Sequence, residues 1–349
     1  MHDEGGIKVN DKLLRQISGD TTDMSKDEKG SALIIMTIAL SVFISMAALV
    51  VDVGLAYCHS SRLQNAADAA VFAGGRLLPA EIGDAGKINE IICKITEYLD
   101  KNGVSENVLQ TVTFTDEIDG VYYGVDLSLK TGSKTGFAQI FGIDKINISK
   151  SAGVIVRPSV SATDVVPVCV VQDELDDLLN RGMTEHIILK YGGGDGTNGS
   201  YGAINLSGVK GGGADQYSKW ILGGYTTEIT IGDKMYPVEP GNMAGPTSNA
   251  FNTRYTACTH YQTEGGCTKE RFEPSCARVV TIPVVEYIDS KHVQINGFAV
   301  FILEDCYANG NNGEVQGTYV KSVIQGTADF TEEDNLSAEY GAYSITLSH

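Results

Sequence analysis

One apolar run dominates the pattern of hydrophobic and polar positions along the chain. It begins at Ser31, passes through Ile38 and ends at Val51, and it contains no charged residue and no proline. At about 1.5 Å per residue, a helix of this length spans about 30 Å, the thickness of the hydrocarbon core of a bilayer. In lipid only a helix satisfies its backbone hydrogen bonds within one segment, so the run predicts a single transmembrane helix. An uncleaved anchor is favoured over a removed signal peptide, because a signal peptide has a shorter apolar core and a small-residue cleavage site.

The flanks of this run predict its orientation. The basic residues before it are Lys8, Lys12, Arg15, Lys26 and Lys29, whereas the first basic residue after it is Arg62. Lysine and arginine stay preferentially on the cytoplasmic side, so we expect the N-terminus inside and the ectodomain outside, extracellular or periplasmic. Residues 1–29 mix acidic and basic side chains without an apolar stripe and are predicted to be a disordered cytoplasmic tail.

The helical pattern continues past the apolar run into an alanine-rich segment. Alanine favours the helix, and small side chains allow another backbone to approach closely. Gly74 and Gly75 predict the end of the helix. We therefore expect one helix over 30–75, half in lipid and half packed on the ectodomain. Its packing residues are predicted to be Asp52, Leu63, Asn65, Ala66, Asp68 and Ala70.

The rest of the pattern predicts an α+β fold. Residues 76–160 read as a small α/β unit, in which an amphipathic helix near 88–99 precedes strands near 109–115, 121–130 and 146–156. A short helix is expected around 136–141. Residues 161–330 show strand signals separated by glycine clusters and short helices, which predicts a β-rich ectodomain. The acidic residues 331–349 are expected to form a loosely held tail.

Composition narrows the classes of function. The 349 residues carry a net charge of -18, and such a surface repels phosphate backbones, so nucleic acid is not expected as a partner. The sequence contains no H-E-x-x-H, G-x-S-x-G or G-x-x-x-x-G-K-[ST] motif. We therefore expect no enzyme activity and no cofactor. The glycine runs near 191–202 and 210–215 are interpreted as flexible turns rather than as anion or calcium loops.

The N-terminal segment resembles a known family. The stretches V-D-V-G-L-A-Y and R-L-Q-N-A-A-D-A-A-V-F-A-G-G, following the apolar helix, are similar to the N-terminal module of the TadE/TadG-like proteins of the Tad (Flp-type) pilus. The resemblance covers about residues 30–75. A weaker likeness lies in K-T-G-F-A-Q-I-F-G-I-D-K-I-N-I-S-K-S-A-G-V-I-V. The resemblance implies a pilin-like plan, in which a long helix lies on a small antiparallel sheet.

The resemblance also implies a function and partners. It implies a non-enzymatic, single-pass component of a Tad/Flp-type pilus assembly or secretion system, with pilins, the inner-membrane platform and the lipid bilayer as partners. Gly30 and Ser31 stand where type IV pilin-like proteins are processed. Those substrates usually carry a glutamate five residues past the cut, and this chain has Ile35 there. A membrane-anchored ligand-binding or sensory ectodomain and a surface hydrolase are the alternatives.

Seven cysteines in a largely exported chain predict some disulfides. Cys258, Cys267 and Cys276 are spaced by nine residues, with His260 among them. One disulfide within this insertion is favoured over a zinc site, because structural zinc sites usually show close C-x-x-C pairs. Cys169 and Cys306 are expected at strand ends, where they could pair across the sheet.

Two further features stand out. The segment containing Gly241, Asn242, Gly245 and Pro246 predicts a structured loop, with Thr247 capping a helix that places Arg254 in a buried ion pair; a ligand-contacting loop is the alternative. Asp52 lies where a charge would meet the outer interface. It is interpreted as an anchor against the headgroups, and pairing with a neighbouring helix during assembly is the alternative.

Overall fold

The computed structural model describes residues 11–190, 202–208, 213–239, 244–309, 312–330 and 339–348. Contacts divide the chain into two compact units, the first being Met1–Arg62 with Lys130–Ser149, and the second Leu63–Leu129 with Lys150–His349. The helices are α1 (Asp11–Gly75), α2 (Ala85–Lys101), α3 (Gln172–Asn180), α4 (Gly213–Gly223) and α5 (Ala244–Thr256).

The strands form two larger sheets and one small pair. They are β1 (Ala80–Glu81), β2 (Leu109–Ile118), β3 (Val121–Lys134), β4 (Lys145–Pro158), β5 (Ser161–Ala162), β6 (Val170–Val171), β7 (Ile187–Lys190), β8 (Ile229–Thr230), β9 (Met235–Pro237), β10 (Val279–Asp289), β11 (His292–Asn309), β12 (Asn312–Val320), β13 (Ser322–Val323) and β14 (Ala342–Leu347). Short 3₁₀ helices lie at Glu106–Val108, Ala138–Phe141 and Gln262–Glu264.

The long helix α1 confirms the predicted continuation beyond the apolar run, and it ends at Gly75 as the glycine pair predicts. It begins earlier than predicted, at Asp11. Residues 11–29, which were predicted to be part of a disordered cytoplasmic tail, belong to this helix, while residues 1–10 lie outside the described part. The segment contains no proline, and extending an existing helix costs far less than nucleating a new one.

The first sheet has the order β1-β3-β4-β14-β13, and β2 pairs with β3. Helix α2 presents a fully buried apolar face of Ile91, Ile95 and Leu99. Its first turn is capped by Asp84, whose carboxylate accepts from the N–H of Lys87 at 2.9 Å. The helix and strand pattern predicted for 76–160 is confirmed.

The second sheet has the order β6-β10-β11-β12-β7, and β9 pairs with β11. Alternate residues of β11 enter two different apolar clusters, since Ala299 and Phe301 lie in one and Val300 and Ile302 in the other. A strand buried on both faces reads as an unbroken apolar run, which is why residues 298–303 contain no polar residue. The predicted strand at 165–171 is shorter, with β6 starting at Val170, because Pro167 has no N–H to donate.

The last strand, β14, corrects the predicted loose tail. Strand β14 pairs with β4 through five residue pairs, from Tyr343 opposite Pro158 to Leu347 opposite Val154. Tyr343 is fully buried. Residues 331–338 lie outside the described part. Because β14 completes a sheet built from residues before 160, both sides of the predicted boundary near 160 belong to the second compact unit.

Candidate functional site

The apolar part of α1 is exposed along its whole length. Large side chains from Leu33 to Leu55 are roughly half to three-quarters exposed, and the most apolar stretch of 18 residues has no buried share at all. By length and composition, α1 from Gly30 can cross a membrane. Such a continuous exposed apolar surface needs a non-aqueous cover, which a bilayer or the helices of other membrane proteins would supply.

Three hydroxyls in this segment are satisfied within the helix. Thr37, Ser41 and Ser45 each donate to a carbonyl three or four residues earlier, at 2.8 Å. A hydroxyl bonded to its own helix avoids much of the cost of an unpaired polar group in hydrocarbon. The stripe of small polar residues therefore fits within a lipid-embedded helix.

Asp52 closes the apolar segment and binds backbone within its own chain. Its carboxylate accepts from the N–H groups of Gly136 at 2.8 Å, Phe137 at 2.9 Å and Ala138 at 2.6 Å. These residues open the 3₁₀ helix Ala138–Phe141, and Asp52 is only 3% exposed. The interpretation as a headgroup anchor is therefore replaced: Asp52 caps a turn of the β3–β4 hairpin.

The end of that hairpin is itself apolar. In residues 130–149, called the hairpin tip below, Phe137, Ile140, Phe141 and Ile143 are about half to three-quarters exposed. Together with α1, Phe141 and Ile143 line a groove whose other wall runs from Thr37 to Leu49. The exposed apolar surface of the first unit thus includes an element that sequence reasoning placed in a soluble ectodomain.

The alanine face of α1 is buried by the chain itself. Leu63, Ala66 and Ala70 are at most 5% exposed, whereas Asn65 is exposed. Gln64 donates to Asp68 at 2.8 Å and to the carbonyl of Ser151 at 3.0 Å. A Cβ added to Gly74 or Gly75 would meet Ile95 or Val154. The second part of α1 is thus packed as predicted, and its small residues contact α2 and β4 of the same chain.

Three cysteines and a histidine converge in the second unit. The ligand atoms of Cys258, His260, Cys267 and Cys276 all lie within 4.8 Å of one another, and the three cysteines are buried. The sulfur atoms of Cys258 and Cys267 are 3.9 Å apart, far beyond the 2.05 Å of a disulfide. All three are free thiols, so the favoured disulfide within 258–276 is not formed. The three cysteines and His260 instead form the group that was the alternative prediction.

The two other predicted cysteines behave differently. Cys169 is a buried free thiol that donates to the carbonyl of Gly202 at 3.3 Å. Burial raises the pKa of Cys169 to about 12, which makes this thiol unreactive. The side chain of Cys306 lies outside the described part, and because Cys169 is a free thiol, the predicted pairing of Cys169 with Cys306 is not seen.

The predicted loop near 241–247 is only partly described. Gly241 and Asn242 lie outside the described residues, and α5 begins at Ala244. Thr247 is therefore inside the helix and fully buried, so its predicted capping role is wrong. The helix starts earlier because Pro246 falls in its first turn, where a missing N–H is tolerated.

Arg254 is reached by α5 as predicted, but its partners are carbonyls. It donates to Ala277 O and Ile221 O, each at 2.8 Å, in place of the expected ion pair. Burial lowers the pKa of Arg254. Arg254 therefore ties α4 and the segment before β10 to α5.

A tyrosine–glutamate network holding β14 was missed from the sequence. Glu339 accepts from the hydroxyls of Tyr343 at 2.5 Å and Tyr123 at 3.2 Å, and from Lys321 at 2.9 Å. The tyrosines lie more than 200 residues apart in sequence. The alternation of apolar and polar residues over 341–347 could have predicted strand β14. The acidic residues before it favoured the prediction of a loose tail instead.

The arrangement defines a class of protein: an N-terminally anchored α+β protein in which the anchor helix continues onto a largely antiparallel sheet. Residues 30–77 match the family model described as putative Flp pilus-assembly TadE/G-like. This confirms the resemblance over the N-terminal module, while the weaker likeness near 134–156 stays a prediction. No curated protein and no solved structure matches the chain.

Proposed function

We propose that this chain is a non-enzymatic, membrane-anchored component of a Tad/Flp-type pilus assembly or secretion system. The observation that carries the proposal is the continuity of α1. Its first part is an exposed apolar segment of membrane-spanning length, and its second part, within the same family match, is buried on the chain's own sheet. The exposed segment is left for lipid and for the apolar helices of pilins and of the platform.

Orientation follows the distribution of basic residues, with the N-terminus inside and the second unit outside. Processing between Gly30 and Ser31 belongs to the same proposal. Both residues are exposed and lie within α1, so a peptidase would meet this bond at the start of the apolar segment.

The hairpin tip adds a second membrane contact to this proposal. The α1 wall of its groove runs from Leu49 back to Thr37, which precede Asp52 by about 5 Å and about 22 Å along the helix. Apolar side chains over this range would reach from the interface into the hydrocarbon core. The three N–H groups bound to Asp52 are the ones that insertion of the tip would otherwise leave without water.

A hydrolase function has weaker support. The Ser133 hydroxyl lies 3.3 Å from Nδ1 of His59, which is the contact a nucleophile and base would make. Ser133 is only 2% exposed, so a substrate carbonyl has no path to it. The pair is better explained as structural support for the hairpin tip.

The proposal is tested by tagging the chain at its C-terminus in its native host and isolating it from detergent-solubilised membranes after mild cross-linking. Pilins and platform proteins should co-purify. The variant with both Ile38→Arg and Val42→Arg should lose membrane association and partners, because each central arginine opposes insertion by about 2.5–3.5 kcal/mol. The matched control carries Ile82→Arg and Met183→Arg at exposed positions of the second unit and should behave as wild type.

Orientation is read in the same cells with a membrane-impermeant maleimide. Cys93 is a natural exposed thiol of the second unit and should be labelled from outside. A cysteine introduced by Ser25→Cys in a Cys58→Ser, Cys93→Ser background should be labelled only after lysis. Recovery of the chain in the cytosol with α1 protected from proteases would overturn the proposal.

A further inference from the structure

The segment between α5 and β10, residues 257–278, contains one short 3₁₀ helix and is long for a connection within a compact fold. Every residue of such a segment must be fixed at an entropic cost. Its three cysteines nevertheless sit at 3–5% exposure and face each other. Something must hold the segment in this shape.

We propose that Cys258, His260, Cys267 and Cys276 form a structural zinc site. Zinc in proteins is bound tetrahedrally, with Zn–S bonds of about 2.3 Å that place neighbouring sulfurs about 3.8 Å apart. The Cys258–Cys267 sulfur separation of 3.9 Å fits this spacing. Three sulfurs and one imidazole nitrogen make a closed four-ligand set, which is the composition of a structural rather than a catalytic zinc site.

The histidine supplies an independent observation. Nδ1 of His260 is buried and has no hydrogen-bond partner among the residues that the structure describes. A buried polar atom without a partner costs free energy, and such atoms are rare in native proteins. A metal ion among the sulfurs would give this nitrogen its partner.

Two arginines brace the segment around the site. The guanidinium of Arg278 donates to the carbonyls of Tyr255 at 2.9 Å and Gly265 at 3.2 Å. Arg271 stacks over the ring of Tyr261 with its guanidinium carbon 4.2 Å from the ring centre. These contacts orient the backbone that carries the ligands, which is the role of outer-shell groups in metal sites.

The test is elemental analysis of the detergent-purified full chain, expressed with zinc and kept reduced. About one zinc per chain should be found, and it should be lost in Cys276→Ser and retained in the matched control Cys93→Ser. Cobalt(II) loaded in place of zinc should show thiolate-to-metal charge-transfer absorption. His260→Cys should keep one metal ion and strengthen that absorption, a readout that does not depend on a purely structural effect of the histidine.

Protease sensitivity gives a second readout. Removal of zinc by a chelator should expose Lys269 and Arg271 to trypsin, and re-addition of zinc should restore protection. A folded chain that binds no zinc or cobalt under these conditions would overturn the proposal. So would a mapped disulfide between any two of the three cysteines, or cobalt binding that Cys276→Ser leaves unchanged.

Discussion

At the scale of single residues, two carboxylates decide how separate segments are held. Asp52 binds three N–H groups of the hairpin tip, and Glu339 binds Tyr343, Tyr123 and Lys321. Asp52 is buried and Glu339 is half-buried, and hydrogen bonds replace the water that each carboxylate has lost. Each carboxylate gives a prediction.

Asp52→Ala should loosen the hairpin tip without preventing membrane insertion. The three N–H groups lose their acceptor, while the apolar run that drives insertion is unchanged. Hydrogen exchange at Gly136, Phe137 and Ala138 should become several-fold faster in detergent or nanodiscs. Asp68→Ala, which removes an acceptor of one side-chain bond on the same helix, should leave these amides as in wild type.

Glu339 predicts a loss of stability in acid. Burial would raise its pKa, but the hydrogen bonds from Tyr343, Lys321 and Tyr123 outweigh burial and lower it below the ordinary value of 4.5. A lowered pKa in the folded state contributes stability above the unfolded value, and this contribution is lost as the pH falls through the folded pKa. The contribution is therefore complete at neutral pH, begins to fall near pH 4.5 and is lost once the pH is below the folded pKa.

The measurement is the unfolding midpoint between pH 7 and pH 3. Glu339→Gln should lower stability by about 1–2 kcal/mol at neutral pH and show a shallower decline in acid. Glu81→Gln, at an exposed glutamate, is the control and should keep the wild-type slope. An equal slope in Glu339→Gln would show that other groups govern the acid response.

At the scale of elements, the end of α1 depends on close packing. Gly75 stands where an added Cβ would lie 2.3 Å from Cγ2 of Val154 and 2.9 Å from Cδ1 of Ile345. Gly75→Ala should therefore lower the free energy of unfolding by about 1–3 kcal/mol, since the strands must move to admit a methyl group. Thermal unfolding of the solubilised chain measures this.

The same substitution earlier in the same helix is the control. A Cβ added to Gly54 meets nothing within 4 Å. Gly54→Ala should be neutral or slightly stabilising, because alanine favours the helix over glycine. If both variants lost equal stability, the contact with Val154 and Ile345 would not be the cause.

The hairpin tip gives a second prediction at this scale. The chain has a single tryptophan, Trp220, in α4. In a Trp220→Phe background, Phe141→Trp should be strongly quenched by lipids with brominated acyl chains, because position 141 would lie in the outer part of the bilayer. Ile288→Trp in the same background, at an exposed position of β10, should not be quenched. Equal quenching at both positions, or none at 141, would contradict insertion of the tip.

At the scale of the molecule, the sequence predicted correctly those features that depend on a single helix or strand. The apolar run, the glycine stop at 74–75 and the helix over 85–101 all follow from spacing and propensity along the chain. Fold class follows from the same signals, because the alternation of strand and helix patterns is local information.

The features that the sequence did not predict are contacts between segments that are distant along the chain. The pairing of β14 with β4, the capping of residues 136–138 by Asp52 and the meeting of Cys258 with Cys276 all require the folded backbone. Cys258, Cys267 and Cys276 show no close C-x-x-C pair, which is why spacing alone favoured a disulfide over a zinc site. The folded segment 257–278 brings these cysteines and His260 together.

Strand β14 has a consequence for how the chain is made. Its hydrogen-bonded partner β4 lies about 185 residues earlier, as the pairing of Tyr343 with Pro158 shows. Synthesis delivers the apolar helix first, and the sheet on which the end of α1 rests keeps an unpaired edge until residues 342–347 have left the ribosome. Throughout that interval the edge of β4 can pair with a wrong strand. Ribosome stalling or a premature stop codon after β12 would therefore yield a membrane-bound, aggregation-prone product that quality-control proteases must degrade.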